Sequence, residues 1–162
     1  MQSRLNPFTA APEAIDAMVG LERYLHDCGL EYALVELVRI RASQINGCGY
    51  CLHMHTRDAR EAGETEERLH VLAAWRDSPL FSDRERAALA WTESLTRIAD
   101  TGAPDADFEQ ARAQFTEEEL VKLTLLIGAI NTWNRIAVGF RRVHATGGAR
   151  TPKASVRTKA TA

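Results

Sequence analysis

Residues 46–55 read Asn46-Gly47-Cys48-Gly49-Tyr50-Cys51-Leu52-His53-Met54-His55. An Asn-Gly pair breaks a helix, so one helix is expected to end here and the next to begin near Cys48. Two cysteines separated by two residues can close into a small disulfide loop and reopen, which stores and passes on two electrons. His55 follows Cys51 by four residues and Cys48 by seven, and these offsets place the three side chains on one helical face. The stretch predicts a thiol redox site at the start of a helix.

Helical periodicity continues on both sides of this stretch, while strand signals are nearly absent. Two capping boxes, 82–85 and 116–119, mark helix starts. The last long helix, from Glu117 to about Val143, is apolar on most faces, which favours a buried central position. The sequence therefore predicts an all-α, single-domain bundle of about six to seven helices. The predicted helices cover 12–29, 31–45, 48–61, 65–75, 82–98, a short segment near Phe108, and 117–143.

Composition places the chain in the ordinary globular class. It has 162 residues, 45% hydrophobic and 26% charged, which is enough for one domain to bury its own core. The net charge of -2 does not indicate the basic surface that binds nucleic acid. Residues 145–162 hold four Lys or Arg residues and no acidic residue. We predict a helical domain over 1–144 followed by a basic, disordered tail over 145–162.

The distribution of apolar residues argues against export and against a membrane location. The first residues lack an apolar core of signal-peptide length. The longest apolar stretch, 123–140, is interrupted by Asn131, Asn134 and Arg135, so no membrane span is predicted. The expected compartment is the reducing cytoplasm, where a Cys-x-x-Cys pair is more often catalytic or metal-binding than structural. Cys28 is expected to be a packed free thiol, and the three tryptophans are expected to be core anchors.

Two local effects favour different cysteines of the pair as the thiol that loses its proton more readily. A position at the helix start exposes Cys48 to free N–H groups and to the positive end of the helix dipole, which lower the pKa of a thiol. His55, one turn after Cys51, can instead take the proton of Cys51 directly or through a water. The residues alone leave both assignments open.

A lone carboxylate, Glu36, lies on the preceding predicted helix, twelve residues before Cys48. An antiparallel return of the chain would bring its carboxylate to the His55 imidazole or to Cys48. A carboxylate there would orient the histidine and raise its basicity. Ser43 and Asn46 could add hydrogen bonds to this relay. Plainer alternatives remain: an ion pair of Glu36 with Arg39, two merely buried cysteines, or a structural zinc site, for which a second Cys/His pair at ligand spacing is missing.

The complete pattern resembles the alkylhydroperoxidase D-like family of the wider carboxymuconolactone decarboxylase superfamily. It consists of Glu36, eleven residues, Cys48-x-x-Cys51, three residues and His55, on two consecutive predicted helices. The resemblance covers roughly residues 12–143 and leaves the tail outside. Further positions that fit are Ser43, Asn46, Tyr50 and the string Ile130-Asn131-Thr132-Trp133-Asn134-Arg135.

The resemblance implies a peroxidase and disulfide-exchange activity and selects between the thiols. By analogy with the family, Cys51 is the peroxidatic cysteine, and Cys48 is the resolving cysteine and proton donor. Glu36 and His55 correspond to the proton relay. Some members carry a histidine between the cysteines, where this chain has Tyr50, so no relay role is carried over to that position.

The same resemblance implies partners and alternatives. It implies a hydroperoxide substrate, a dithiol reductant of the lipoyl or thioredoxin type, and a homo-oligomer, often a trimer or hexamer. No metal, flavin or haem cofactor is expected. The alternatives are a lactone decarboxylase-like enzyme that uses the same pocket without redox chemistry, a non-enzymatic redox sensor, and a zinc-binding structural protein.

Overall fold

The computed structural model describes residues 2–144, and these residues form helices with short connections and no strand. The predicted all-α bundle is confirmed, with seven helices of six or more residues in the described range. Two one-turn helices and a 3₁₀ segment, Leu72–Asp77, add to the expected elements. The predicted tail, 145–162, lies outside the described residues. The helices are α1 Pro7–Ala10, α2 Pro12–His26, α3 Tyr32–Ile45, α4 Gly49–Glu61, α5 Glu66–Val71, α6 Asp83–Thr96, α7 Ile98–Thr101, α8 Asp105–Arg112 and α9 Glu117–Gly139.

Two predicted helices end about four residues earlier than expected. The helix predicted over 65–75 changes to 3₁₀ winding after Val71 and contains the non-helical Ala74 (φ -113°, ψ 27°). This change accompanies burial of Trp75, whose Nε1 donates to Glu93 at 2.8 Å. The last helix ends at Gly139 rather than near 143, because the backbone reverses there through a left-handed residue, Arg141 (φ 53°). A non-glycine residue rarely adopts this conformation, so no residue pattern indicates the reversal.

The central helix of the bundle is α3, and the expectation that α9 is central was wrong. Nearly every residue of α3 from Leu34 to Ser43 is buried, and the helix packs against α4, α6 and α9. By contrast, Val121 and Leu125 on α9 are 61% and 42% exposed. The apolar residues of α9 therefore form a buried face and an exposed face.

The helix starts follow the sequence closely. Both predicted capping boxes are present, with reciprocal bonds between Ser82 and Glu85 and between Thr116 and Glu119. Such boxes satisfy backbone N–H groups that have no partner within the helix. They set the starts of α6 and α9, the two longer helices that pack on α3. No helix in residues 2–144 is both long enough and apolar enough to span a membrane.

Truncation of the central helix is expected to destabilise the protein strongly. Leu37 is fully buried in α3, so Leu37→Ala should lower the free energy of unfolding by about 2–5 kcal/mol through lost transfer energy and the cavity left behind. Ile98→Ala is the matched control, because Ile98 is 56% exposed and its truncation should change stability by about 0.5 kcal/mol or less. Urea unfolding of both variants checks this, and equal losses would contradict the assignment of α3 as the core helix.

Candidate active site

A tight turn between α3 and α4 positions the first cysteine. Gly47 adopts φ 65°, a left-handed conformation that glycine adopts without steric cost. The Cys48 N–H then donates to the Ser43 carbonyl at 3.0 Å and the Gly47 N–H to the Gln44 carbonyl at 3.3 Å, which is the Schellman pattern. Cys48 is at once the end of this motif and the N-cap of α4. The Asn-Gly break predicted from the sequence thus fixes where the thiol lies.

The two cysteines are bonded to each other and are buried. The structure joins Cys48 and Cys51 in a disulfide with a Cα–Cα distance of 5.4 Å. The Cys51 N–H donates to the Cys48 Sγ at 3.3 Å, as expected for a side chain that caps a helix. Cys28, the other cysteine, is a buried free thiol, as predicted. The paired cysteines are therefore held in the first turn of α4.

A buried carboxylate on α3 holds the histidine on α4. The Nδ1 of His55 lies 2.8 Å from the Oε2 of Glu36, and both side chains are buried. Since an ionised carboxylate can only accept, Nδ1 carries the proton in this bond. In the neutral imidazole, Nε2 is then the nitrogen that can accept a proton. The antiparallel return of α4 along α3 brings together the two residues that the sequence placed on consecutive helices.

Two further charged residues extend this pair. Arg39 donates from Nη1 to Glu36 at 2.8 Å and from Nη2 to Glu22 on α2 at 2.5 Å. Glu22 also accepts from Trp133 Nε1 at 3.0 Å. Burial alone would raise the pKa of Glu36, but the hydrogen bonds that His55 and Arg39 donate, together with the positive charge of Arg39, outweigh it, so its pKa lies below the ordinary value of 4.5. Glu36 is therefore ionised at neutral pH.

A cavity of about 250 Å³ opens beside the disulfide. Cys51 and His55 line this cavity, whereas Cys48 is not among its lining residues. One wall comes from the N-terminal segment, where Phe8 stacks on Trp133 with ring centroids 6.5 Å apart. The lining is otherwise mostly apolar and includes Val19, Met54, Ile136 and Ala137. A small organic molecule could reach Cys51 through this cavity.

Some sequence expectations for the site were wrong. Ser43 and Asn46 do not bond to Glu36 or His55. Ser43 Oγ donates to the Arg39 carbonyl and accepts from Asn134 on α9, and Asn46 donates to two asparagines of α9. These bonds join the end of α3 to α9 instead of extending the relay.

The sequence analysis also missed residues that only the tertiary structure brings to the site. Trp133, expected as a core anchor, lines the cavity. Arg39 was considered only as an alternative partner of Glu36, although it contacts Glu22 as well. Glu22 lies on α2, seventeen residues before Arg39, and no local spacing signals such a contact. The i, i+3 spacing of Glu36 and Arg39 was the one sequence signal for these contacts. It indicated the ion pair of Arg39 with Glu36 but not the ion pair with Glu22.

Comparison with known proteins gives consistent matches. The chain matches the model of the carboxymuconolactone decarboxylase family over residues 10–94. Uncharacterized protein YdfG of Bacillus subtilis is 40% identical over 138 residues, which are 85% of this chain and 94% of that protein. A crystal structure from Agrobacterium tumefaciens, of a protein of unknown function described as a candidate AhpD antioxidant-defence protein, is 48% identical. It superposes with a TM-score of 0.88 and covers 90% of this chain and 100% of its own.

A more distant structure agrees in fold. It is an alkylhydroperoxidase AhpD core, an uncharacterized peroxidase-related protein from Ralstonia eutropha JMP134, with 21% identity and a TM-score of 0.75 over 86% of this chain and 74% of its own. Fold and site together define an all-α protein of the alkylhydroperoxidase D-like class, with a Cys-x-x-Cys pair whose second cysteine lines a cavity. The chain belongs to the carboxymuconolactone decarboxylase family.

Removing the guanidinium between the two carboxylates should be costly. Arg39→Leu leaves Glu36 and Glu22 without their cation, and losing one partner of a buried ion pair typically costs about 3–5 kcal/mol. The exposed pair of Glu109 and Arg112 has the same i, i+3 spacing and provides the control. Arg112→Leu should change stability by about 1 kcal/mol or less. Denaturant unfolding at neutral pH measures both, and similar losses in the two variants would contradict a burial effect.

The lowered pKa of Glu36 predicts a specific acid sensitivity. Because its folded pKa lies below the ordinary 4.5, its ionised form stabilises the fold above that pH. This contribution disappears as pH falls through the folded pKa. The free energy of unfolding of the wild type should therefore decrease more steeply below pH 4.5 than that of Glu36→Gln. Urea unfolding between pH 3 and pH 7 tests this, and parallel curves for the two proteins would refute it.

Proposed function

We propose that the protein is a thiol-dependent peroxidase and disulfide oxidoreductase that reduces hydroperoxides through Cys51 and Cys48. The observation that carries this proposal is that Cys51 and His55 line one cavity while Glu36 holds the imidazole at Nδ1. A nucleophile, a base and a residue that orients the base are the parts of an activated thiol site. The relationship to AhpD-like proteins supports the same class of reaction.

The first half-reaction begins from the dithiol form. His55 accepts the Cys51 proton, and the thiolate attacks the terminal oxygen of the hydroperoxide. The O–O bond breaks, Cys51 becomes a sulfenic acid, and the alkoxide takes a proton from the Cys48 thiol to leave as the alcohol. The hydroperoxide gains two electrons, which come from the Cys51 sulfur.

The second half-reaction forms the disulfide. The Cys48 thiolate attacks the Cys51 sulfur, and the hydroxide that leaves takes the proton held by His55 to become water. An external dithiol then reduces the disulfide by exchange and is itself oxidised. The net reaction converts one hydroperoxide and one dithiol into an alcohol, water and the oxidised dithiol. The N-cap position of Cys48, where its sulfur accepts the Cys51 N–H, supports this role because it stabilises a thiolate.

The proposal includes a homo-oligomeric assembly. An exposed stripe on α9 supports it, since Val121, Leu125, Gly128 and Thr132 follow one another at helical spacing on the solvent side. Exposed apolar stripes of this kind commonly mark protein contacts. The hydroperoxide and the dithiol, of the lipoyl or thioredoxin type, are the other proposed partners.

Single cysteine substitutions test the peroxidase proposal. The reduced wild type should lose two free thiols on adding one equivalent of cumene hydroperoxide. Cys51→Ser should lose none, because the attacking sulfur is gone. Cys48→Ser should trap a sulfenic acid that a dimedone probe labels. Cys28→Ser is the matched control, because this buried thiol lies outside the pair, and it should behave as the wild type.

The same set of cysteine variants distinguishes the peroxidase from a redox sensor and from a lactone decarboxylase. A wild type that loses no thiols would refute the peroxidase proposal. Thiol loss without turnover in the presence of a dithiol such as dihydrolipoamide would indicate a redox sensor. Conversion of a lactone acid by Cys51→Ser at the wild-type rate would indicate a decarboxylase that uses Glu36 and His55 without redox chemistry.

A further inference from the structure

The turn that ends α9 places an arginine at the cavity. Arg141 is left-handed (φ 53°), and the Arg142 N–H donates to the Ala137 carbonyl at 2.8 Å, so the chain reverses in a Schellman motif. The N-terminal segment fastens this turn, since Arg4 donates to the Gly139 carbonyl at 3.1 Å. A left-handed non-glycine residue costs conformational energy and persists only where the surrounding structure holds it. This turn presents one side chain to the cavity. The group presented here is the Arg142 side chain.

The Arg142 guanidinium lies against two aromatic rings. It stands 4.2 Å from the ring centroid of Tyr50 and 4.7 Å from that of Phe8. Both rings and Arg142 line the cavity that contains Cys51. A guanidinium whose flat faces stack on aromatic rings still has its N–H groups free at the edge. These groups can donate two parallel hydrogen bonds to a carboxylate. The rings therefore restrict the position of the cation without using its hydrogen-bond donors.

The other charges of the cavity lining already have partners. Glu22 pairs with Arg39 at 2.5 Å, and Asp58 pairs with Arg57 at 2.9 Å. Arg142 is the remaining lining guanidinium. Among the ion pairs within residues 2–144 none joins it to a carboxylate, and its guanidinium contacts are the rings of Phe8 and Tyr50. A guanidinium without a carboxylate partner among these residues thus lies at a cavity whose surface is mostly apolar.

We infer that the cavity selects a small amphipathic hydroperoxide that carries a carboxylate, with the carboxylate bound to Arg142 and the apolar body against Met54, Trp133 and Ile136. A volume of about 250 Å³ suits a compound of one aromatic ring. The identity of the reacting group rests on the proposed peroxidase function. The anion subsite itself is independent of any reaction and is tested separately below.

Binding of unreactive alcohols tests the subsite. Cumyl alcohol and its para-carboxylate have the same body and differ in the negative charge. The wild type should bind the carboxylate about tenfold or more tightly, as expected for a charge-assisted hydrogen bond. In Arg142→Gln the ratio of the two dissociation constants should fall toward one, whereas Arg142→Lys should retain part of it. Arg112→Gln, at an exposed arginine of α8 that does not line the cavity, should keep the wild-type ratio. Isothermal titration calorimetry gives the constants, with circular dichroism to verify folding.

The matching hydroperoxides test the chemistry. Cumene hydroperoxide and its para-carboxylate should both oxidise the cysteine pair, the carboxylate with the higher second-order rate constant. Equal binding of the two alcohols by the wild type, or an unchanged ratio in Arg142→Gln, would overturn the subsite. If the carboxylate binds through Arg142 but neither hydroperoxide oxidises thiols, the peroxidase proposal fails while the subsite stands, and the reacting group is assigned wrongly.

Discussion

The carboxylate of Glu36 is the charge around which the site is arranged. It is 1% exposed, and an ionised carboxylate in such a place is tolerated only when its oxygens are paired and hydrogen-bonded. One oxygen receives Arg39 and the other receives His55. Arg39 in turn contacts Glu22. Satisfying this single charge therefore fixes α2, α3 and α4 relative to one another, and it orients the imidazole as a consequence.

Two Schellman turns lie at the ends of the helices that border the cavity. The turn after α3 uses Gly47 and ends at Cys48, and the turn after α9 uses Arg141 and ends at Arg142. The helices are also bonded to each other, because Asn46 donates to Asn131 and Asn134 on α9. The residues that carry the proposed resolving thiol and the proposed anion-binding group are thus each placed by the backbone geometry of a helix end, and two rings then hold the Arg142 guanidinium.

The sequence predicted those parts of the site that depend on local spacing. The Asn46-Gly47 break, the one-turn offset of Cys51 and His55 and the capping boxes each depend on a few neighbouring residues, so their signals are visible in one sequence. Contacts across the bundle have no such signal, and Glu22 and Trp133 were missed for that reason. The prediction that α9 is the central helix was wrong for a related reason. Apolar residues on most faces of a helix do not indicate whether a neighbouring helix or another molecule covers them.

The burial of the cysteines constrains how the proposed cycle can be completed. Neither sulfur lies on an open surface, since Cys48 is 1% and Cys51 2% exposed, and Cys51 is the one that lines the cavity. Thiol–disulfide exchange requires the attacking sulfur to approach along the S–S axis. A dithiol on a slender aliphatic arm can enter an apolar cavity, whereas a folded protein would first have to displace the N-terminal segment that carries Phe8. Of the two proposed reductant types, the lipoyl type fits this cavity better. In the proposed cycle it would attack Cys51 and release Cys48 as the thiolate that its N-cap position stabilises.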